Sequence, residues 1–270
     1  MIVKNMQLDA LHMVFFTTLF SLPVIFLITL SKSDSIRENL KGVRSNYLLL
    51  ALLAVSLLLN NFFYFAAFNR TSIAISVFTH YTAPLFVALL APLILAESFD
   101  RRLILPLTIA LLGLASILAP DWHANHSAGD ITGALCGTAS GLAYAFTLIF
   151  AKRLTLKLVP LALVFGQSLF ISLFLLPFIF SIPYPDLSLA GWLWLFLLGL
   201  THCTLAPLLY LSGLKYIKAQ HAAVIGYVEP LAAVFLGLIL AHETPSSTIW
   251  FGGFAILLSG AIITRLRKRT

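Results

Sequence analysis

The amino-acid sequence predicts an all-α polytopic membrane protein with nine transmembrane helices. Hydrophobic residues make up 60% of the 270 positions, charged residues only 10%, and the mean hydropathy is +0.99. In soluble domains roughly a quarter of the residues are charged. Apolar runs of about 20 residues, the length a helix needs to cross about 30 Å of hydrocarbon, recur along the whole chain. Lys and Arg alternate in density between successive connections, as expected for loops on opposite sides of a membrane.

Hydropathy places nine spans along the chain. They lie near residues 8–30, 47–68, 72–96, 103–119, 131–151, 159–180, 190–213, 220–241 and 247–264. The longest connections, 31–46 and 120–130, leave no room for a soluble domain. Residues 1–8 and the apolar run after them show no small-residue cleavage site of a signal peptide. Any activity must therefore reside among the helices.

Positive charge indicates the orientation. The chain carries 17 Lys and Arg residues against 10 Asp and Glu residues. Fifteen of the 17 lie in the connections after spans one, three, five and seven and in the tail, and only Lys4 and Arg70 lie on the other side. Such an excess marks the cytoplasmic side, so we expect the carboxyl terminus inside and the amino terminus of this chain outside. The net charge of +7 reflects this excess, and we expect the lipid bilayer rather than nucleic acid as a partner.

Two stretches of the chain repeat one another at a fixed offset of 146 positions (230 minus 84). The matching pairs are Tyr64 and Tyr210, Tyr81 and Tyr227, Pro84 and Pro230, Leu85 and Leu231, Leu90 and Leu236, and Glu97 and Glu243. Spans two to four match spans seven to nine, and an odd offset of five helices turns the second copy upside down. Inverted repeats are typical of secondary transporters, which bind their substrate near the midplane where the repeats meet.

The repeat also predicts the domain organisation. We expect a first repeat of four helices at 1–119, a linker at 120–130, a second repeat of five helices at 131–266 and a basic cytoplasmic tail at 267–270. The first helix of the first repeat has no counterpart in this chain. Either the protein does without it or the chain begins at an internal start, and an outside amino terminus without a leader favours the second alternative.

The repeated motif resembles a known family. The stretch YFAAFNRTSIAISVFTHYTAPLFVALLAPLILAE and its partner YLSGLKYIKAQHAAVIGYVEPLAAVFLGLILAHE are each followed by a Gly/Ala-rich helix. This pattern is similar to the EamA-like branch of the drug/metabolite transporter superfamily. The resemblance implies ten helices in two inverted halves around a central cavity, and the export or exchange of small metabolites such as amino acids. This sequence departs from the pattern in having nine spans.

Glu229 is the strongest candidate for a functional residue. It lies in the middle of the apolar run 219–241, and a charge at the bilayer centre costs roughly 2.5 kcal/mol or more. The residues on its helical face are mostly small, and Pro230 is predicted to deprive the Gly226 carbonyl of its helical partner. Glu229 is either a substrate-binding or proton-coupling carboxylate, or a structural group that is protonated or hydrogen-bonded inside the bundle.

The first repeat carries Ala83 where the second carries Glu229, so the two halves differ chemically. His80, three residues earlier on the same face, is a candidate polar or proton-titrating partner, since imidazole titrates near neutrality. The repeat-related Tyr81 and Tyr227 would bring rings to matching places that suit an amphipathic metabolite. Each of these residues has a structural alternative, as a helix contact for His80 and as lipid packing for the tyrosines.

Further polar residues inside predicted spans are candidates for lining a cavity. They are Asn60 and Asn61 in span two, Tyr144 in span five, Gln167 in span six and His202 in span seven. Polar groups in hydrocarbon must bond across helices or face water, so each is either a cavity residue or a helix contact. Glu97 and Glu243 end their spans and are predicted to be structural, near the positive amino end of the next helix.

These features favour a secondary transporter that exports or exchanges a small polar or amphipathic metabolite by alternating access, with Glu229 coupling to a proton or binding a cationic group. A non-transporting membrane scaffold or regulatory subunit is the alternative. An intramembrane enzyme built on His80, His202 and His221 is a third class. The sequence has no GxxxxGK[ST] or HExxH motif, and Cys136 and Cys203 lie singly in separate apolar runs. We therefore expect no catalytic residues, no cofactor and no metal.

Overall fold

The computed structural model of the chain describes residues 10–30, 36–118, 128–181, 186–232 and 247–267. Within these ranges the regular structure is helical throughout, with no strand. Glu243, most of the predicted linker and most of the predicted tail lie outside the described residues.

Twelve helices are described. They are α1 (Ala10–Leu30), α2 (Ile36–Ser45), α3 (Tyr47–Phe68), α4 (Ile73–His80), α5 (Ala83–Leu95), α6 (Ile104–Leu118), α7 (Ala128–Thr155), α8 (Pro160–Ile179), α9 (Leu189–Leu200), α10 (Ala206–Leu214), α11 (Ala219–Ile225) and α12 (Ser247–Arg267). A 3₁₀ turn at Arg101–Leu103 precedes α6, and a π-helical turn at Thr201–Leu205 joins α9 to α10.

Six helical segments in the described ranges are long and apolar enough to cross a membrane. They are Leu11–Thr29, Tyr47–Phe68, Ile73–Leu95, Ile131–Thr155, Pro160–Ile179 and Leu189–Leu214. Large apolar side chains such as Leu93 and Phe180 are about four-fifths exposed, at 81% and 82%. A soluble monomer rarely exposes so much contiguous apolar surface, whereas lipid covers it in a membrane protein. The chain is an integral, multi-pass membrane protein.

The sequence did not predict helix α2, which occupies the connection at 31–46. The helix packs against α8, where its Val43 is buried and its Gly42 lies so close to Leu158 that a Cβ would come within 2.8 Å of it. An amphipathic helix of this kind escapes a hydropathy window because its charged residues cancel its apolar ones.

Proline interrupts two of the spans. The helix over Ile73–Leu95 breaks at Tyr81 and Thr82, just before Pro84, and the helix that starts at Ala219 breaks at Gly226 and Tyr227, before Pro230. The sequence predicted that the Gly226 carbonyl would lose its helical partner and become available to a ligand or another side chain. The second part of this prediction is wrong. This carbonyl accepts a hydrogen bond from the Glu229 N–H at 2.9 Å, because the chain tightens by one residue at the break.

Contacts divide the chain into two compact units, and each takes segments from both halves of the sequence. The first unit comprises Met1–Val55 and Phe150–Tyr216. Helix α1 packs there against α8 and α9. Hydroxyls join α1 to α8, with Thr18 Oγ1 and Ser172 Oγ 3.1 Å apart and Ser21 Oγ donating to Ser168 Oγ at 2.8 Å.

The second unit comprises Ser56–Ile149 and Ile217–Thr270. The most extensive helix–helix packing in this unit is between α6 and α12. Gly113 lies so close to this partner that a Cβ on it would come within 2.7 Å of the Gly252 carbonyl oxygen, and Ser259 Oγ donates to the Pro106 carbonyl at 2.7 Å. Small residues at such a crossing let the two backbones approach, as is usual between membrane helices.

Glycines on α7 bring that helix against α4 within the second unit. A Cβ on Gly137 would lie 1.9 Å from Thr79 Oγ1, and one on Gly141 would lie 2.6 Å from the His80 carbonyl oxygen. The side chains that follow on the same face of α7, Ser140 and Tyr144, are thereby placed beside His80.

Candidate functional site

The two helix breaks of the second unit meet at a pair of tyrosines. Tyr81 and Tyr227, the repeat-related pair, stack with ring centroids 5.8 Å apart. The Tyr227 hydroxyl donates to the Tyr81 carbonyl at 2.7 Å, and Tyr227 is only 1% exposed. The break in α4 leaves the Tyr81 carbonyl without a regular helical partner, and Tyr227 supplies one.

Glu229 lies two residues beyond Tyr227, where helical backbone resumes at Val228. Its side chain is exposed, and its carboxylate lies close enough to the Tyr81 phenol to interact with it electrostatically. Tyr64 on α3 is close enough to interact with the same carboxylate electrostatically. The carboxylate is thus open to a ligand and bordered by two half-buried phenol rings.

His80 occupies the centre of a group of rings near the middle of the span Ile73–Leu95. Its ring centroid lies 4.3 Å from that of Tyr64, 5.3 Å from that of Tyr81 and 5.6 Å from that of Tyr144. These rings come from three helices, α3, α4 and α7.

The tautomer of neutral His80 follows from its hydrogen-bond partner. His80 Nδ1 lies 2.9 Å from Ser140 Oγ, and Ser140 Oγ donates its single hydrogen to the Gly137 carbonyl at 2.7 Å. Ser140 can therefore only accept from His80, so Nδ1 carries the proton. The other ring nitrogen, Nε2, is left as an acceptor.

A polar stripe on α3 continues this cluster. Ser56, Asn60 and Tyr64 are spaced four residues apart and share one helical face. Thr147 on α7 donates to Ser56 at 3.0 Å. Asn60 is 8% exposed, its amide nitrogen makes only a long contact of 3.4 Å to Asn61 Oδ1, and its own Oδ1 has no hydrogen-bond partner in the described part of the chain.

Five of the nine residues that the sequence predicted lie together in this cluster: Glu229, His80, Tyr81, Tyr227 and Tyr144. Asn60 lies one turn from Tyr64, and Asn61 is its half-buried neighbour. The remaining two belong to the first unit, where His202 is exposed in the π-helical turn and Gln167 is half-buried on α8. The sequence analysis missed two members, Tyr64 and Ser140. Tyr64 was visible as a repeat-related tyrosine, whereas nothing in the sequence singled out Ser140.

A second set of contacts holds the start of α11, the helix that leads to Tyr227. The Ala219 N–H donates to both carboxylate oxygens of Glu97, at 3.1 and 3.2 Å. Gln220 donates to the Ser98 carbonyl at 3.2 Å and accepts from the Asp100 N–H at 3.3 Å, and His221 Nε2 lies 3.4 Å from Asp100 Oδ2. We call these contacts the 97–221 clasp. Glu97 is therefore structural, but it caps a helix distant in sequence rather than the next one.

Positive side chains in the described part of this unit lie at helix ends. Arg70 donates to the Ala66 carbonyl at 2.9 Å, and Lys218 donates to Ser98 Oγ at 2.9 Å. Arg101 and Arg102 form the 3₁₀ turn before α6, and Arg265 lies in the last turn of α12. The described residues hold no group of three or more His, Cys, Asp or Glu side chains arranged for a metal ion.

Apolar helices broken by proline, with a carboxylate and aromatic rings at the breaks, are typical of membrane transporters. The family model of the EamA-like transporter family matches residues 1–119 and 131–265. The chain belongs to the EamA-like transporter family and is a membrane transporter.

Individual relatives agree with this assignment. An uncharacterized transporter of Archaeoglobus fulgidus is 30% identical over 201 residues, covering 74% of this chain and 70% of the relative. The uncharacterized transporter YxxF of Bacillus subtilis is 25% identical over 215 residues, covering 79% and 68%. A solved crystal structure matches 97% of this chain and 90% of its own, with a TM-score of 0.80 at 16% identity, a likeness that shows the fold alone.

Proposed function

We propose that the protein is a secondary transporter that exports or exchanges a small polar or amphipathic metabolite, related to amino acids, by alternating access. The observation that carries this proposal is the exposed Glu229 carboxylate, close to the Tyr81 phenol where two repeat-related helices break. A carboxylate in a membrane span is costly unless it serves a site, and broken helices in transporters mark substrate and ion positions. The inverted arrangement of the two sequence repeats is part of this proposal.

Glu229 has two compatible roles, binding a cationic group of the substrate and carrying a coupled proton. The titratable groups that interact with its carboxylate among the described residues are Tyr64 on α3 and Tyr81 just after α4. Next to these two rings lie His80, which contacts both, Tyr227, which stacks on Tyr81, and Tyr144, which contacts His80. No Lys or Arg is found among these described neighbours. The carboxylate therefore lacks a fixed counter-charge, and a proton or a bound cation would supply it.

We place the protein in the bacterial inner membrane, with its carboxyl terminus in the cytoplasm. The distribution of Lys and Arg, fifteen on one side and two on the other, supports this orientation. The small-molecule substrate and the lipid bilayer are the partners that the proposal requires.

The test is metabolite efflux from proteoliposomes loaded with a mixture of amino acids and amines, measured by mass spectrometry with and without a pH gradient. We expect protein-dependent efflux of one compound or a related group. Glu229→Gln should lower its rate at least tenfold, about 1.4 kcal/mol, because the substitution removes the charge and keeps the shape. Asp186→Asn, on an exposed connection, is the matched control and should transport normally. Unchanged rates and unchanged pH dependence in Glu229→Gln would remove Glu229 from the mechanism.

A further inference from the structure

The hydrogen-bonding inventory of the ring cluster narrows the substrate class. The Tyr227 hydroxyl donates to the Tyr81 carbonyl. His80 Nδ1–H donates to Ser140, and the Ser140 hydroxyl donates to the Gly137 carbonyl. Each hydroxyl or ring N–H has one hydrogen, so these three donors are committed within the protein.

The same group of residues still offers hydrogen-bond acceptors to a ligand. The Glu229 carboxylate has four lone-pair positions, His80 Nε2 is an acceptor in the neutral ring, and Asn60 Oδ1 is buried without a hydrogen-bond partner in the described part of the chain. A buried oxygen without a hydrogen-bond partner is unfavourable, and a donor on a ligand would satisfy it.

The aromatic rings also favour a positively charged ligand. Tyr64 and Tyr81 are half-buried beside the carboxylate, and Tyr144 is half-buried beside His80. Aromatic faces attract a cation within about 6 Å of the ring centroid and have no comparable attraction for an anion. The positive side chains of this unit that could receive a ligand carboxylate lie at helix ends, as described above.

We propose that this site takes an organic amine as its cation, with its ammonium group at Glu229 and its apolar body against the tyrosine rings, and that it discriminates against molecules that carry a carboxylate. The inference rests on the proposed function and narrows it from amino-acid-like metabolites to amines without an acid group.

The test is equilibrium binding of tritiated 2-phenylethylamine to the purified full chain in nanodiscs, with three competitors of similar size. Phenylalanine adds a carboxylate to the amine, 3-phenylpropionate has only the carboxylate, and the N-trimethyl derivative keeps the positive charge without an N–H donor. We expect saturable amine binding, competition by phenylalanine only at roughly tenfold higher concentration, and none by 3-phenylpropionate.

Two variants separate charge from hydrogen bonding. Glu229→Gln should weaken binding of both cations by about tenfold or more, since both lose their counter-charge. Asn60→Leu should weaken 2-phenylethylamine more than the N-trimethyl derivative, which has no hydrogen to donate. Tyr210→Leu, at the repeat-related position of Tyr64 in the first unit, is the control and should bind both normally.

Two results would overturn the inference: phenylalanine or 3-phenylpropionate binding as tightly as the amine, or no saturable amine binding. Failure of the proposed function looks different. If Glu229→Gln abolishes amine binding but the protein supports no efflux from vesicles, the transport proposal is wrong and the amine site stands. If the protein exports phenylalanine in a Glu229-dependent way but binds no amine, transport stands and the amine site is wrong.

Discussion

At the scale of single residues, the two copies of the sequence repeat differ. Glu229 has Ala83 at the related position, and His80, three residues before Ala83, is a candidate for the same site. The sequence alone identified Glu229, His80, Tyr81 and Tyr227 as candidate site residues, because a charged or aromatic residue stands out in an apolar run. Tyr64 and Ser140 were not nominated, because their importance depends on which helix faces lie against α4. Their contacts with His80 are properties of packing rather than of local sequence.

Tyr227→Phe tests the bond that joins the two helix breaks. The substitution removes one hydroxyl and leaves the Tyr81 carbonyl without its partner, so we expect a loss of about 1 kcal/mol in the free energy of unfolding. The measurement is the midpoint of thermal unfolding in detergent. Tyr216→Phe removes a hydroxyl from a tyrosine that is 72% exposed and should leave the midpoint unchanged. Equal midpoints for the two variants would contradict the assigned bond.

At the scale of elements, hydropathy predicted the long helices well and the irregular segments poorly. The span predicted at 47–68 is helix Tyr47–Phe68, and the span at 190–213 corresponds to Leu189–Leu214. The π-helical turn at Thr201–Leu205 was missed, because Pro207 signals a local irregularity without saying whether the helix breaks or widens. The 97–221 clasp was missed because its partners are more than 100 residues apart in sequence.

Gly137→Ala tests the close approach of α7 to α4. The added Cβ would lie 1.9 Å from Thr79 Oγ1, so the helices must separate, and we expect a loss of about 1–3 kcal/mol in stability together with lower transport. Gly213→Ala is the matched control, because no atom lies within 4 Å of the place an added Cβ would take, and alanine stabilises a helix by about 0.5–1 kcal/mol relative to glycine. Thermal-unfolding midpoints at or above that of the wild type for both variants would contradict the close approach of α7 to α4.

Glu97→Gln tests the clasp. The neutral amide retains an acceptor but loses the charge that strengthens the bond to the Ala219 N–H, so the start of α11 should open more often. Hydrogen exchange followed by mass spectrometry should show faster exchange in peptides covering 217–225 and unchanged exchange in α8. Protection at 217–225 equal to that of the wild type would show that the clasp does not hold this helix.

At the scale of the whole molecule, composition alone established an integral membrane protein, and the family assignment made it a transporter. The count of nine spans and the inverted repeats stay predictions. The span count is supported by the charge distribution, which a helix gained or lost midway along the chain would scramble, and the repeats are supported by the constant offset of 146 positions. The compact units could not be predicted, since each combines segments from both halves of the sequence and depends on long-range packing.

Orientation is tested with single cysteines in a chain whose Cys136 and Cys203 are replaced by alanine. Lys157→Cys and Arg70→Cys both place the thiol at exposed positions outside the long helices. A membrane-impermeant maleimide should label Arg70→Cys in intact cells, and Lys157→Cys only after permeabilisation. The opposite pattern would reverse the topology, and labelling of both in intact cells would contradict the span count between them.

The most direct test of the central claim, that Glu229 and Tyr81 form one transport site, is a double-mutant cycle on efflux. The four proteins are wild type, Tyr81→Phe, Glu229→Gln and the double variant, and the measurement is the initial rate for the compound with the highest protein-dependent efflux. Residues that act as a unit are not additive, so the double variant should transport no worse than Glu229→Gln alone. Rate losses that simply multiply would show that the two residues act independently and would contradict the site.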